Sequence, residues 1–335
     1  MAQKTNELIR LSASRLITLK KCSWVYYSKY TLKLRDKTND GAMRGTVTHA
    51  ILECLLKDNR RDVVKELLEA KTTKNNKEIT RFISLKRHQV GITHEKDNKG
   101  VDNYNLIDKM IIIGLKFDFF CEDEAKPSKL HGEREFDFTH DEKYRLMGYI
   151  DKIAEYNGSD VKIVDYKTSQ NKFAKNELAD NYQAMVYILY CKRVLKAKAA
   201  VDFMFLRSPR KPVQTIEYSD ECLKGFEEFL EKISKYMVSF NRSKGLSNLA
   251  YHKGQMSYDE GFAGRAMCGK SSYKGELKPD GSPVYACSFK WPRKYYAGYK
   301  DGKLRETADE RVDLEKKGYT VEEKSYPGCP IFNEN

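Results

Sequence analysis

The spacing of apolar residues predicts helices in the first third of the chain. Leu16, Leu19 and Val25 recur at helical intervals, and Ser12 and Ser14 precede them as candidate N-caps. The predicted helices cover residues 10–33, a segment that begins at Gly45-Thr46, shorter stretches within residues 58–105, and residues 107–121.

From Gly132 onward the period changes from helical to alternating. The predicted elements are strands over residues 133–138, 145–151, 161–165 and 201–206 and helices over residues 179–195 and 219–240. This order predicts an α/β fold with a mixed central sheet flanked by helices. The predicted parts are an N-terminal helical part (1–130), an α/β core (131–243) and a loop-rich, basic and aromatic C-terminal region (244–335).

Composition narrows the class of protein. A hydrophobic fraction of 40% and a charged fraction of 33% over 335 residues are typical of a soluble globular chain. The net charge of +13 favours a polyanionic partner, with nucleic acid first, a membrane surface second, and a merely basic protein as the plain alternative. No apolar run approaches the roughly 20 residues of a membrane span. The start of the chain predicts no secretory signal, and the scattered cysteines favour reduced thiols in a cytoplasm.

Two acidic residues and a lysine form the most informative group in the strand region. Asp165 and Lys167 are two positions apart, so on a strand their side chains project to the same side, and Asp151 ends the preceding strand. Carboxylates that meet at one sheet edge suit Mg²⁺ or Mn²⁺, which can polarise a phosphate and acidify a bound water. A nearby lysine can neutralise developing charge. An exposed strand with alternating charges would produce the same triplet.

Further motifs accompany this group in a fixed order. They are Leu11-Ser12-x-Ser14-Arg15-Leu16 followed by Cys22, Gly45-Thr46-x-x-His49, Gly148-x-x-Asp151, Asp165-Tyr166-Lys167-Thr168 and Gln183-x-x-x-Tyr187. From about residue 11 to about residue 190 the set resembles the RecB-type branch of the PD-(D/E)XK nucleases, related to AddB-type and CRISPR-associated exonucleases. The resemblance implies a restriction-endonuclease-like core.

The resemblance also implies roles for individual residues. The implied metal ligands are His49, Asp151, Asp165 and the backbone carbonyl of Tyr166, and the implied catalytic group comprises Lys167, Asp165, Asp151, Gln183 and Tyr187. Lys167 would be the catalytic lysine, and Gln183 and Tyr187 would help to hold it and the substrate. A helical histidine and a polar pair at i and i+4 also occur for structural reasons. Glu135 is either a further carboxylate of the site or an exposed strand residue, and no proline precedes Asp151.

The metal-site interpretation requires a particular register in the hairpin that carries the two aspartates. Opposed residues of an antiparallel pair share a face, so Asp151 must pair with Asp165, a constant sum of 316. A two-residue turn at Asn157-Gly158 gives 315 and sends Asp165 to the other face. A three-residue loop, or a bulge, restores 316. The site therefore predicts the loop.

A possible second cofactor follows only from the resemblance. Several relatives hold a 4Fe-4S cluster with one N-terminal and three C-terminal cysteines, and the matching candidates are Cys22, Cys268, Cys287 and Cys329. The spacing is wide, no Cys-x-x-Cys pair is present, and Ser23 replaces the usual proline. These departures favour ordinary reduced cysteines over a cluster.

Other residues are candidates for contact with substrate. Arg207 and Arg210 follow a predicted strand, and Trp291 and Lys294 lie where aromatic and basic residues interleave, a pattern that suits single-stranded nucleic acid. The alternative for the latter region is an amphipathic hairpin around Asp301-Gly302.

The segment Gly264–Ser271 matches the phosphate-binding loop of nucleotide hydrolases. Such a loop needs a buried strand before it and a helix after it. The flanking residues predict neither, so the match is rejected.

The leading hypothesis is a Mg²⁺- or Mn²⁺-dependent deoxyribonuclease, an exonuclease of replication, recombination or repair. Its substrate would be DNA that is single-stranded or has free ends, and a separate helicase or recombination protein would assist it. It would act in the cytoplasm of a bacterium or of a virus-infected cell, without a membrane partner. The alternatives are a non-cleaving nucleic-acid-binding module on the same fold and, more remotely, a nucleotide hydrolase that uses Gly264–Ser271.

Overall fold

The computed structural model describes residues 8–97, 100–158, 160–250 and 268–333. These residues form two compact units. The first unit lies within Met1–Ala13 and Thr38–Lys235, and the second within Ser14–Lys37 and Tyr236–Asn335. In the part of the chain so described, no helix is long and apolar enough to cross a membrane. The predicted three-part division at residues 130 and 243 stays a prediction.

The helices and strands are numbered in chain order. The α-helices are α1 (Ala13–Lys21), α2 (Ser23–Tyr26), α3 (Asp40–Leu55), α4 (Arg61–Ala70), α5 (Lys77–Gln89), α6 (Asn103–Lys116), α7 (Lys175–Ala179), α8 (Tyr182–Tyr190), α9 (Asp220–Met237), α10 (Arg242–Gly245), α11 (Arg311–Glu315) and α12 (Pro330–Asn333). The strands are β1 (Arg10–Leu11), β2 (Lys129–His140), β3 (Tyr144–Glu155), β4 (Asp160–Lys167), β5 (Lys198–Phe205), β6 (Val213–Ile216), β7 (Arg293–Lys300), β8 (Lys303–Ala308) and β9 (Thr320–Tyr326). Single π-helical turns, Tyr27–Thr31 and Cys191–Leu195, continue α2 and α8.

A six-stranded mixed sheet forms the centre of the first unit. Its order is β1-β3-β4-β5-β6, with β2 on the other side of β3. β4 and β5 run parallel, as do β1 and β3, whereas β3 is antiparallel to both β2 and β4. Helices flank this sheet, so the predicted α/β class with a restriction-endonuclease-like core is confirmed.

The hairpin of β3 and β4 has the register that the metal-site interpretation requires. Lys152 pairs with Val164 and Glu155 with Val161, which is the sum of 316. The Tyr156 N–H donates to the Asp160 carbonyl at 2.9 Å, so the loop between these two residues spans three positions. One of those positions, residue 159, lies outside the described residues. The register prediction is confirmed.

The two faces of the sheet carry different layers, because successive strand residues point to opposite sides. One face packs against α3 and α6 through buried apolar side chains, among them Val47, Ile51, Leu55, Ile107, Ile111, Val164, Tyr166 and Met204. α8 contacts β3 and β5, and its residues from Ala184 to Tyr190 are all buried. The longest apolar run of the chain is therefore a core helix.

One helix begins earlier than its apolar stripe predicts. α3 starts at Asp40 and not at Gly45, because the side chain of Asn39 accepts a hydrogen bond from the Ala42 N–H at 3.0 Å. An N-cap asparagine satisfies a backbone donor that would otherwise lack a partner. The cap sets the start of the helix, and apolar residues enter only where α3 reaches the core.

The second unit has a small sheet that the sequence pattern did not reveal. Its order is β8-β7-β9, all antiparallel. β7 and β8 join through Asp301 and Gly302, both at positive φ (55° and 68°), a conformation that favours two-residue hairpin turns. The predicted alternative of a hairpin at this position is confirmed. Residues 269–292 and the connection before β9 keep the region rich in loops, as predicted.

Candidate active site

The C-terminal half of β4 brings together residues from β3, α3 and α8. The carboxylate of Asp151, on β3, accepts a hydrogen bond from the backbone N–H of Tyr166 at 2.8 Å through Oδ2. Its other oxygen, Oδ1, lies 3.0 Å from Nδ1 of His49 on α3. The ring of His49 meets the ring of Tyr166 edge to face at 5.9 Å. Three predicted metal-binding positions therefore meet at one place.

A second part of the same cluster surrounds Asp165. Lys167 Nζ lies 2.6 Å from Asp165 Oδ2 and donates to Oε1 of Gln183 at 2.6 Å. The amide nitrogen of Gln183 donates to Asp165 Oδ1 and to the Tyr187 hydroxyl, each at 2.7 Å. That hydroxyl donates to the Tyr149 carbonyl at 2.6 Å. One amide thus positions the lysine, the aspartate and the tyrosine, as the i, i+4 spacing on α8 allows.

Burial sets the electrostatics of the cluster. Asp165 is only 3% exposed, and this burial raises the pKa of its carboxyl group despite the nearby charge of Lys167. Oδ2 of Asp165 has a close ion pair with Lys167 but no hydrogen bond of ordinary geometry. Burial alone would lower the pKa of His49, but the hydrogen bond and charge of Asp151 raise it overall. The cluster therefore holds a concentrated negative charge with one incompletely satisfied oxygen.

A glycine sets the distance between α3 and β4. A Cβ added at Gly45 would lie 2.9 Å from Oγ1 of Thr168, the residue after Lys167. Because threonine is branched at Cβ, rotating its side chain would bring the methyl group to the same place. Gly45 thus permits the close approach that brings His49, one turn later on α3, to Asp151.

These residues lie within a recognised family. The sequence matches the "PD-(D/E)XK nuclease superfamily" over residues 10–247, more than half of the chain. The chain belongs to this superfamily. The predicted RecB-type resemblance is confirmed, and the residues gathered around Asp165 occupy the candidate active site of a nuclease.

Curated relatives of this nuclease are much longer proteins. It is 21% identical over 263 residues to one subunit of the "ATP-dependent helicase/deoxyribonuclease" of Streptococcus agalactiae, in serotypes Ia and V. The matches cover 75% of this chain but only 23% of each relative, so the chain spans about a quarter of their length. A solved structure of a provisionally named exonuclease from Eubacterium rectale matches 70% of this chain and 82% of its own, with 12% identity and a TM-score of 0.44.

The predicted substrate-binding residues fall in both units. Arg207 follows Leu206, whose N–H donates to the Lys167 carbonyl at 2.8 Å, and Arg210 is exposed in the same loop. In the second unit Trp291 is half-buried, and exposed Lys294 pairs with Glu323 at 2.7 Å. Two neighbours of Trp291 in the interleaved pattern, Phe289 and Tyr295, are buried core residues.

The nuclease cluster has acidic neighbours that the motif pattern did not connect. Glu53 lies one turn after His49 on α3, and the strand register places Glu133 opposite Asp151. Burial, a hydrogen bond to Glu133 and the charge of Glu133 raise the pKa of Glu53. The i, i+4 spacing from His49 is the only sequence signal for Glu53. Glu135, the predicted extra carboxylate, is exposed and accepts a hydrogen bond from the Tyr149 hydroxyl at 3.0 Å.

The rejected phosphate-loop match remains without support. Residues 264–267 lie outside the described residues, and the described segment 269–292 contains no helix after Ser271. The backbone N–H groups of Lys270 and Ser271 donate to the Tyr285 carbonyl and so are not directed at a phosphate. The described residues therefore lack the helix N-terminus that such a loop requires.

The four predicted cluster cysteines line one cavity of the second unit. Cys22, Cys268, Cys287 and Cys329 surround it, and they are all free thiols. The other lining residues are Trp24, Val25, Ala250, Phe289, Lys290 and Phe332. Burial raises the pKa of Cys268 to about 11 and that of Cys329 to about 12. The tertiary structure thus gathers cysteines that lie up to 307 positions apart in the sequence.

Neither cluster has the compact geometry of a site already closed around one ion. Among the described residues, no three His, Cys, Asp or Glu side chains are close enough to share a single metal ion. In the nuclease cluster, the His49–Asp151 and Lys167–Asp165 contacts account for the present spacing.

Proposed function

We propose that this protein is a divalent-metal-dependent deoxyribonuclease that hydrolyses phosphodiester bonds from DNA ends. The observation that carries the proposal is the buried Asp165 carboxylate, which one glutamine side chain ties to Lys167. A buried carboxylate with an incompletely satisfied oxygen is costly to retain unless a cation pairs with it. This donor set of carboxylate oxygens and one imidazole suits Mg²⁺ or Mn²⁺.

The chain's own residues divide the work. His49, Asp151, Asp165 and the Tyr166 carbonyl would hold the ion, and binding would replace the His49–Asp151 and Lys167–Asp165 contacts. When bound, the ion supplies Lewis-acid polarisation of the phosphate and lowers the pKa of water. Lys167 places a positive charge beside the scissile phosphate as negative charge develops there.

Substrate contacts outside the cluster come from basic and aromatic residues. Arg207 and Arg210 leave the sheet beside Lys167 and would bind phosphates that flank the cleaved bond. Trp291 and Lys294 are proposed contacts for single-stranded DNA. The net charge of +13 supports a polyanionic substrate.

The names of the relatives support a biological setting. Part of a helicase/deoxyribonuclease shares sequence with this chain, so we place its activity on DNA ends in replication, recombination or repair, with a separate helicase or recombination protein as partner. Its compartment is proposed to be the cytoplasm of a bacterium or of a virus-infected cell.

A cleavage assay with purified full-length protein tests the nuclease proposal. Linear DNA, single- or double-stranded and labelled at one end, is incubated with Mg²⁺, Mn²⁺ or EDTA, beside covalently closed circles of the same sequence. We expect metal-dependent loss of linear DNA and survival of the circles. Cleavage in EDTA would contradict metal dependence, and cutting of circles would contradict an exonuclease.

The alternative function is a nucleic-acid-binding module that does not cleave. Its only support is the positive charge, which would suffice for binding. The Gln183 amide that joins Lys167, Asp165 and Tyr187 favours the enzyme, because binding needs no lysine held against a buried carboxylate. DNA binding without cleavage under any metal would favour the module.

The four-cysteine cavity supports a second cofactor, which we propose to be a 4Fe-4S cluster. The thiols line one largely apolar cavity, yet no three of them are close enough for a single ion. A tetrahedral zinc site needs thiolates about 3.8 Å apart, given Zn–S bonds of about 2.3 Å. A four-iron cluster binds each thiolate to a different iron and so fits a wider ring of cysteines.

Metal analysis tests the cluster. Protein purified without oxygen is assayed for iron, acid-labile sulfide and zinc, and for visible absorption by sulfur-to-iron charge transfer. We expect about four irons and four sulfides per chain, and their loss in Cys329→Ser. The control is Cys222→Ser, because Cys222 is exposed on α9 in the first unit. Zinc in place of iron, or no metal, would contradict the cluster.

A further inference from the structure

One charged side chain lies inside the otherwise apolar surroundings of the cysteine cavity. Lys290 lines the cavity with the four cysteines and is only 4% exposed. Its ammonium group lies 4.0 Å from the centre of the Phe332 ring and 5.2 Å from that of Trp291. Lysine is rarely buried to this degree without a charged partner, because removing an ammonium group from water is costly.

The contacts of this ammonium within the protein are few. Nζ donates one hydrogen bond, at 2.7 Å, to the backbone carbonyl of Ser271. Within the described residues no Asp or Glu carboxylate forms an ion pair with it. An ammonium group has three donors, and aromatic faces offset only part of its desolvation. The positive charge of Lys290 therefore lacks a negative counterpart among the acidic side chains described.

The backbone of Lys290 connects the segments that carry the cysteines. Its N–H donates to the Cys287 carbonyl, and its carbonyl accepts from the Cys329 N–H, both at 3.0 Å. Its side chain reaches Ser271, three residues after Cys268. The residue thus contacts three of the four cysteine-bearing segments, and its charge faces the cavity that they enclose.

The charge of an iron–sulfur group completes the argument. Four thiolates carry more negative charge than an iron–sulfur core cancels, so the whole group is an anion. A buried anion needs a nearby cation or hydrogen-bond donors. Reduction adds one more negative charge, so a neighbouring ammonium stabilises the reduced form more than the oxidised one.

We propose that Lys290 is the counter-charge of the group held by Cys22, Cys268, Cys287 and Cys329 and raises its reduction potential. The proposal rests on the cluster proposed above. It assigns Lys290 an electrostatic positioning role and no part in DNA cleavage.

Three variants of the full-length protein separate charge from structure. Lys290→Met removes both the charge and the hydrogen bond to Ser271. Lys290→Gln removes the charge but keeps an N–H donor, and Lys290→Arg keeps the charge. Each is purified without oxygen, its fold is compared by circular dichroism, and its iron, sulfide and midpoint potential are measured by spectroelectrochemical titration.

The expected result is a more negative midpoint potential, or a several-fold lower iron and sulfide content, in both neutral variants. Lys290→Arg should stay near wild type in both. A Lys290→Gln variant with wild-type potential and content would overturn the proposal and leave Lys290 as a structural tie. If Lys290→Met does not fold, the comparison of the Gln and Arg variants still decides.

The two proposals fail in different ways. Wild-type protein without iron and sulfide would overturn the cluster and, with it, the role of Lys290. Wild-type protein with a cluster that is indifferent to all three substitutions would overturn only the role of Lys290.

Discussion

The carboxylate of Asp151 is held at 2.8 Å by the backbone N–H of Tyr166, the residue between Asp165 and Lys167. This bond crosses the hairpin near the point where the register places Asp151 opposite Asp165. The strand that carries the buried carboxylate and the lysine therefore also orients the second carboxylate. A change in hairpin register would disrupt all three positions together.

Lys167→Ala is expected to abolish most cleavage while leaving DNA affinity nearly unchanged. The lysine supplies local positive charge in the transition state, and loss of such a group costs about 10²–10³-fold in rate. Affinity depends on many dispersed cations. Single-turnover cleavage and filter binding measure the two effects. Lys224→Ala, an exposed lysine on α9, is the control, and near wild-type cutting by Lys167→Ala would refute the assignment.

Asp165→Asn is expected to weaken metal binding itself. The substitution removes a charged ligand from a site where even outer-shell changes cost about 10–100-fold in affinity. Calorimetric titration with Mn²⁺ measures the loss. Asp202→Asn serves as the control, because Asp202 accepts from Thr215 on a neighbouring strand and contacts none of the proposed ligands. Equal Mn²⁺ affinity in Asp165→Asn and wild type would remove Asp165 from the ligand set.

Gly45→Ala is expected to slow cleavage, although alanine is the better helix former. The new Cβ would meet Thr168 at 2.9 Å and push α3 away from β4, which displaces His49 from Asp151. A shift of this kind costs up to about a hundredfold in rate. At Gly225 on α9 a Cβ meets nothing within 4 Å, so Gly225→Ala should instead raise stability by up to about 1 kcal/mol. If Gly45→Ala is also stabilised and fully active, the close approach has no function.

Glu227→Gln is expected to destabilise the first unit in a pH-dependent way. Burial would raise the pKa of Glu227, but hydrogen bonds from Arg193, at 2.5 and 2.7 Å, and from Tyr144 lower it overall. A lowered folded-state pKa stabilises the protein above the unfolded-state pKa and is lost as pH falls through the folded value. Urea unfolding at pH 7 should show a loss of about 1–3 kcal/mol.

The difference between Glu227→Gln and wild type should shrink as the pH falls through the acidic range, because the wild-type carboxylate then becomes protonated. A difference that stays constant with pH would show that the charge of Glu227 is not what stabilises the fold.

Trp291→Ala is expected to weaken binding of single-stranded DNA by roughly 1–3 kcal/mol, the usual loss for one stacked base. Binding of duplex DNA should change much less. Fluorescence anisotropy with both substrates measures the difference, and Tyr273→Ala, which alters an exposed aromatic residue of the same unit, is the control. Equal losses on both substrates, or none, would return Trp291 to a structural role.

The sequence alone determined the nuclease core and its candidate site. Alternation along Val164-Asp165-Tyr166-Lys167 predicted that the carboxylate and the lysine share a face, and their pairing with Gln183 follows from their order along the chain. The required hairpin register could be calculated from residue numbers, and the structure has it. These features depend on local periodicity, which strands and helices impose on any chain that forms them.

Only the tertiary structure decided the features that depend on distant contacts. Cys22 and Cys329 line one cavity, although their spacing favoured isolated thiols. Glu53 meets Glu133, and Phe289 with Tyr295 enters the core of the second unit instead of its surface. Sequence periodicity assigns a residue to a face of its own element, but which elements pack together is set by the burial of apolar surface over the whole chain.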